Sequence, residues 1–166
     1  MATRGFTIVE LLLTLSLMSV VAAFSFVRFF GQPEVTLENA AVLLARDLRA
    51  AQNRATYLSE PCLFTFTEDG EGYVVTDLEG EMIRNPRTDL GFRRWYSEDG
   101  VFDGVLVTSI RAGDDRSLAY DGRGLALESL SVTLTQGDDT RVVLVERGHG
   151  KVSILGSTSG WSDQGY

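Results

Sequence analysis

From Phe6 to Phe30 the chain carries two charged residues, Glu10 and Arg28, in a run otherwise built mostly of Leu, Val, Phe, Ala and Met with scattered Ser and Thr. As a helix this run would be about 37 Å long at about 1.5 Å per residue, enough to cross a hydrocarbon core of about 30 Å. Glu10 is its anomaly. An ionised acid in a bilayer core costs at least a few kcal/mol, so an intramembrane carboxylate is by default a functional group awaiting a partner. Arg4 precedes the run, and a short positive flank there favours a cytoplasmic N-terminus with the remainder carried across.

A secretory signal peptide would need an apolar stretch of about 7–15 residues and a small-x-small cleavage site. Here the run is longer, Glu10 interrupts it, and Ala22-Ala23-Phe24 offers no clean site. An ordinary signal anchor explains length and orientation but leaves Glu10 without a role.

Arg4-Gly5-Phe6-Thr7-Ile8-Val9-Glu10-Leu11 resembles the class III signal of type IV pilins and type II secretion pseudopilins. In that family a prepilin peptidase cuts after the glycine on the cytoplasmic side and N-methylates the new terminal residue. The resemblance implies a leader of residues 1–5, a cut between Gly5 and Phe6, and methylation of Phe6. It also makes Glu10 the subunit-assembly glutamate. The new α-amino group of Phe6 would be largely protonated at neutral pH, since its reference pKa is about 7.7–8.0. Set near Glu10 of a neighbouring subunit, the two charges would compensate each other in an apolar interior. Such a pair sets register more than strength, because a misplaced neighbour leaves both charges unpaired.

About 136 residues follow Phe30, a length that suits one compact domain. Cys62 is the sole cysteine, so no internal disulfide forms and the domain must hold by its core. Beside Pro61 at the head of an alternating apolar run, it reads as a buried thiol. Many major pilins close their C-terminal region with a disulfide, and this chain departs from them.

Gly31-Gln32-Pro33 predicts a kink or restart of the first helix. Residues 34–59 then read as an amphipathic helix, with Leu37, Ala41, Leu44, Leu48, Ala51, Ala55 and Leu58 recurring at steps of four and three. Arg46, Asp47, Arg49, Gln52, Asn53 and Arg54 fall mainly on other faces, and Pro61 ends the helix. The stripe is expected to pack on the domain's sheet.

Beyond Pro61 the period changes to two. Leu63–Phe66 and Gly72–Val75 form a hairpin signal across Glu68-Asp69-Gly70-Glu71. Later candidate strands are Val101–Ile110, Leu118–Tyr120, Leu130–Thr135, Arg141–Glu146 and Lys151–Leu155, separated by short links that predict antiparallel pairing. The expected fold class is α+β: a long N-terminal helix in two halves, 6–30 and 31–59, followed by a meander of antiparallel strands over 60–166. The Gly- and Ser-rich tail, 156–166, is expected to be mobile, with Trp161 as its docking residue.

Arg46-Asp47-Leu48-Arg49-Ala50-Ala51-Gln52-Asn53-Arg54-Ala55 resembles the helix of H-type minor pseudopilins and FimT-like minor pilins (the GspH/FimT family). The later segments Tyr120-Asp121-Gly122-Arg123-Gly124, Val132-Thr133-Leu134, Arg141-Val142-Val143 and Gly148-His149-Gly150-Lys151-Val152 are similar to that family too. The resemblance implies a minor pseudopilin at the tip of a periplasmic pseudopilus that supports protein export. Its alternative is a minor pilin that primes a type IV pilus or takes part in DNA uptake. The implied partners are other major and minor pseudopilins, the prepilin peptidase and the inner membrane.

Phe92-Arg93-Arg94-Trp95-Tyr96 is the candidate partner contact, because aromatic residues and Arg are enriched at interfaces. The plainer reading is a strand that buries one face.

Catalytic signals are weak. His149 is the only histidine and sits between two glycines. Gly156-Ser157-Thr158-Ser159-Gly160 has Thr where a nucleophile elbow needs Ser. Asp114-Asp115 and Asp138-Asp139 could bind calcium, as acidic loops do in major pseudopilins, but lack fixed ligand spacing and read as solvated turns. No enzyme, cofactor or metal is expected. Without Arg4, Arg28 and Glu10, 13 basic and 22 acidic residues leave a charge of about −9, which repels a polyanion, so nucleic acid is not expected as a partner.

Overall fold

Pro33, which has no N–H to leave unsatisfied in a first turn, is the first residue of α2 (Pro33–Leu58), and α1 (Ile8–Phe29) ends four residues earlier. The computed structural model describes residues 7–29, 33–85, 88, 90–112 and 116–156, and the side chains of all of these except 23–29 and 33–35. Two units are distinguished, 1–32 and 33–166.

The α2 stripe is buried as its spacing predicts: Leu37, Ala41, Leu44, Leu48, Ala51 and Ala55 are each 0% exposed, and Ala40 and Ala45 join them. Two expectations need correction. Leu58 is 44% exposed because it is the last helical residue, where the stripe has run past the sheets. The helix is ended by Ser59, not Pro61. Ser59 adopts φ +55°, and the Glu60 N–H donates to the Ala55 carbonyl at 3.2 Å, the six-to-one bond of a left-handed helix cap.

Among the described residues eight strands follow: β1 (Cys62–Phe66), β2 (Gly72–Thr76), β3 (Arg93–Trp95), β4 (Leu106–Arg111), β5 (Ser117–Tyr120), β6 (Leu130–Gln136), β7 (Asp139–Val145) and β8 (Val152–Leu155). All pair antiparallel, in two sheets of order β3-β2-β1-β5 and β4-β6-β7-β8. The single meander expected from the short links is replaced by a chain that crosses to the second sheet for β4, returns to pair β5 with β1, and crosses again. The strand expected from Val101 starts at Leu106, the first five residues forming turns. Thr108 is skipped in the β4–β6 register between Val107 and Ser109, a bulge that bends this edge strand.

Among the described residues the backbone joins the sheets at two places. The Val107 N–H donates to the Gly70 carbonyl at 2.8 Å, and Ala126 bridges both Tyr120 and Gly148. Gly70 at φ +76° turns so close to β4 that a Cβ there would lie 2.4 Å from the Val107 oxygen, so the hairpin needs glycine for space as well as conformation. α2 packs across both sheets. Beneath it the aromatic rings form a chain: Phe64 stacks on Tyr73 at 4.7 Å, Tyr73 meets Tyr96 edge-on at 6.2 Å, and Tyr96 meets Phe102 at 6.1 Å.

Candidate functional site

The assembly candidate Glu10 lies in the first turn of α1. Thr7 caps this helix: its Oγ1 and its carbonyl accept from the Glu10 N–H at 3.3 and 3.1 Å. Thr7 and Glu10 thus have the spacing of a capping box. Thr14 and Ser19 hydroxyls donate back to the carbonyls of Leu11 and Leu15 at 2.9 and 2.8 Å, so neither adds an unmet donor to the apolar surface. That surface runs all round the helix, with Ile8 81% and Met18 73% exposed. A helix apolar on every face is normally a buried one, and exposed apolar surface of this extent marks a contact with protein or lipid. Among the described residues no helix is long and apolar enough to cross a membrane; the described α1 side chains, residues 8–22, span about 22 Å. Gly5 and Phe6 lie outside the described residues, as do Trp161 and the Asp114-Asp115 pair.

The structure divides the Phe92–Tyr96 cluster by strand alternation. Phe92 and Tyr96 are 1% and 0% exposed, so they belong to the core and cannot meet a partner. Arg94 turns to the same side, opposite Tyr73 in the β2–β3 register. Arg93 and Trp95 face the other way, with the Arg93 guanidinium 5.0 Å from the Trp95 ring centroid, a cation–π contact. Of the five residues, these two remain available as a contact.

Asp47 is the polar residue that helix-face reasoning misplaced. It is 1% exposed and accepts from the Tyr73 hydroxyl at 2.7 Å and from Arg94 Nε at 3.2 Å, both at Oδ2. Arg94 Nε also donates to the Tyr73 oxygen at 3.2 Å. Burial, with Tyr96 and Asp47 nearby, holds the Tyr73 hydroxyl far above its usual pKa, so it remains a donor. Burial pushes Tyr96 up as well. Among the described residues, Asp47 Oδ1 and the Tyr96 hydroxyl have no hydrogen-bond partner. The missed signal was positional: Asp47 stands three residues after Leu44 and four before Ala51, a slot of the stripe itself.

Gln52 gathers the two glycine loops. Its Nε2 donates to the carbonyls of Gly124 and His149, both at 2.8 Å, and Thr56 Oγ1 donates to the Arg123 carbonyl at 3.3 Å. Helix 46–55, loop 120–124 and loop 148–152, singled out in the sequence as separate segments, therefore meet at one side chain. A Cβ on Gly124 would lie 2.1 Å from Thr56 Oγ1, and one on Gly150 would lie 2.6 Å from Gln52 Nε2. One turn before Gln52, Arg49 donates to the Val152 carbonyl at 3.0 Å, and near the start of α2 Glu38 Oε2 accepts from Arg141 Nε at 2.8 Å.

The His149 imidazole is exposed. Asp138 lies in the two-residue turn of the β6–β7 hairpin, while Asp139 pairs with Gln136 in the ladder. Among the described residues no group of three or more His, Cys, Asp or Glu could hold a metal ion. Cys62 is fully buried, and burial raises its pKa to about 11.

No protein-family model and no curated protein sequence matches this chain. Solved structures do. The type IV minor pilin FimU of Pseudomonas aeruginosa aligns with a TM-score of 0.51 at 18% identity over 72% of this chain and 87% of its own. The minor pseudopilin EpsH from the type 2 secretion system of Vibrio cholerae aligns with a TM-score of 0.53 at 11% identity over 72% of this chain and 96% of its own. The fold is pilin-like. The α+β expectation of an N-terminal helix packed on antiparallel sheets holds, with the strand order corrected as above. At these identities the likeness speaks for the fold, and the two neighbours name a pilus and a secretion system in turn.

Proposed function

We propose that this chain is a minor pseudopilin of a type II secretion system, anchored in the inner membrane by α1 and built into the tip of a periplasmic pseudopilus. The observation that carries this reading is a pilin-like domain joined to an apolar helix whose first turn holds a single carboxylate, Glu10. On this reading the peptidase cuts after Gly5, Phe6 is methylated, and the Phe6 amine of one subunit pairs with Glu10 of the next. The Arg93–Trp95 pair on the outer side of β3 is the contact for another subunit. The protein's work is assembly, and it is not an enzyme. A second reading, a minor pilin that primes a type IV pilus, is favoured by the equal likeness to FimU.

Intact-mass measurement on protein extracted from membranes tests the family-level reading. A chain beginning at methylated Phe6 is expected, and residues 1–5 retained in peptidase-positive cells overturn it. Deletion in the source organism separates the two systems: loss of exported enzymes with pili retained supports the secretion reading, and loss of pili with export retained supports the pilus.

A further inference from the structure

The chain holds four Asp-Gly steps: Asp69-Gly70, Asp99-Gly100, Asp103-Gly104 and Asp121-Gly122. Aspartate followed by glycine is the dipeptide most prone to a reaction of the main chain with its own side chain, in which the glycine nitrogen attacks the aspartyl Cγ. Glycine carries no Cβ to shield that approach. The attack needs a carboxyl group free to swing over the next peptide and a nitrogen free of its own hydrogen bond.

Three of the steps are held away from this geometry. Asp69 Oδ1 accepts from the Glu71 N–H at 2.9 Å, while the buried Gly70 donates its N–H to the Thr67 carbonyl at 3.2 Å. Asp99 Oδ1 accepts from the Val101 N–H at 3.1 Å. Asp121 Oδ1 accepts from the N–H groups of Arg123 and Leu125 at 2.9 and 2.8 Å. Each bond from the residue two positions on closes an Asx turn, which fixes the carboxylate against its own backbone.

Asp103-Gly104 differs at each point. Both residues are exposed in the turn that leads into β4. Among the described residues neither the Asp103 carboxylate nor the Gly104 N–H has a hydrogen-bond partner. Around Gly104 the atom nearest to the place of a Cβ is Gln136 Nε2, at 3.8 Å. The Asp103 carbonyl accepts from that same Nε2 at 2.9 Å, an exposed contact that leaves the carboxyl group free.

We propose that Asp103-Gly104 is the site at which the native chain isomerises to isoaspartate. The Gly104 nitrogen bonds to Cγ of the protonated Asp103 carboxyl, its proton and the carboxyl hydroxyl depart as one water, and a cyclic succinimide results. One water then adds back. Opening of the bond from Cγ to nitrogen restores aspartate, whereas opening at the main-chain carbonyl leaves the chain running through Cγ. Mass and oxidation state are unchanged, but the backbone is longer by one methylene between Phe102, which is 8% exposed, and β4. The carbonyl held by Gln136 becomes a carboxylate, so the turn that positions this edge strand must be rebuilt.

The test incubates the full chain for weeks at neutral pH in a mild detergent, beside a sample unfolded in urea. Digestion and electron-transfer fragmentation then locate isoaspartate by cleavage of its extra main-chain bond. In the native sample isoaspartate is expected at position 103 at several times its level at 69, 99 or 121, and unfolding should bring the four steps to similar levels. Asp103→Glu, whose side chain would need a larger ring, should lose the signal at 103 and leave the other three sites as they were. Isoaspartate at 69, 99 or 121 equal to or above that at 103 in the native chain would overturn the proposal. So would its accumulation at 103 in the unfolded sample alone.

Discussion

The Tyr73 hydroxyl donates to Asp47 Oδ2 at 2.7 Å, which ties the second strand of the first sheet to the middle of α2 through a carboxylate that is 1% exposed. Arg94 completes the pair's charge from the edge strand, with its own side chain 25% exposed. Burial works against its charge, but Tyr73 and Asp47 more than offset it and raise its pKa. The stripe would accept an apolar residue at position 47. An acid there specifies which strand and which arginine the helix may lie against, because any other docking leaves a buried charge unmatched.

Removing the carboxylate should therefore cost more than removing the hydroxyl. Asp47→Ala is expected to destabilise the domain by about 3 kcal/mol, near the low end for breaking a buried pair because Arg94 can regain water. Tyr73→Phe leaves the Arg94–Asp47 bond and should cost about 1 kcal/mol. Urea midpoints of the two variants and of the double variant measure the coupling. An Asp47→Ala midpoint equal to that of the parent would show the cluster contributes nothing.

Alkaline pH should loosen the fold before acid does so through these groups. The buried Cys62 thiol titrates near 11 when folded against an ordinary value of 9.0. As pH rises past 9 the unfolded thiol ionises first, the native state then holds the extra proton, and stability falls until the folded pKa is passed. Tyr73, Tyr96 and Tyr120 are raised in the same direction from 10.0, extending the decline above pH 10. Melting temperatures at pH 8, 9.5 and 10.5 should decrease in that order, with Cys62 unreactive toward a thiol reagent at pH 8 until the chain unfolds. Labelling of the native protein at pH 8 would show the thiol is accessible.

Two glycines with similar backbone angles should respond differently to alanine. Gly124 has φ +76°, and an added Cβ would meet Thr56 Oγ1 at 2.1 Å and the Gln52 carbonyl at 3.1 Å; Gly137 has φ +60° and open space. Gly137→Ala carries only the left-handed conformational cost, about 1 kcal/mol. Gly124→Ala adds displacement of Thr56 and of the loop from α2, for a total of about 2–3 kcal/mol. Equal losses by thermal melt would mean the loop shifts freely and Gln52 does not clamp it.

The helices and most strands were legible because their signals are local: the stripe Leu37 to Ala55 at helical spacing, the Asp69-Gly70 turn between alternating runs, and Pro33 at a helix start. Strand order was not, since pairing β5 with β1 rather than with β6 depends on contacts between residues as far apart in the chain as Cys62 and Tyr120. Asp47 was hidden for a related reason. A carboxylate on a helix is assigned to solvent unless its partners are known, and Tyr73 and Arg94 lie 26 and 47 residues away. The Phe92–Tyr96 cluster was found as a composition and then halved by alternation, which needs the strand to be placed before each side chain can be assigned a face. Gln52 and the glycine loops were all visible, but not their meeting.

Glu10 separates capping from assembly. Its backbone N–H already satisfies the Thr7 cap, so Glu10→Ala keeps that bond and loses only the acid near a helix N-terminus, worth about 0.3–1 kcal/mol. Helix formation and membrane association should survive the change. If the carboxylate instead receives the Phe6 amine of a neighbouring subunit, Glu10→Ala should be cut normally by the peptidase yet fail to co-purify with partner subunits, and Glu10→Gln should fail similarly because it lacks the charge. Intact mass reads the first outcome and affinity capture from cross-linked membranes the second. A Glu10→Ala chain that assembles at the parental level would confine this residue to its helix end.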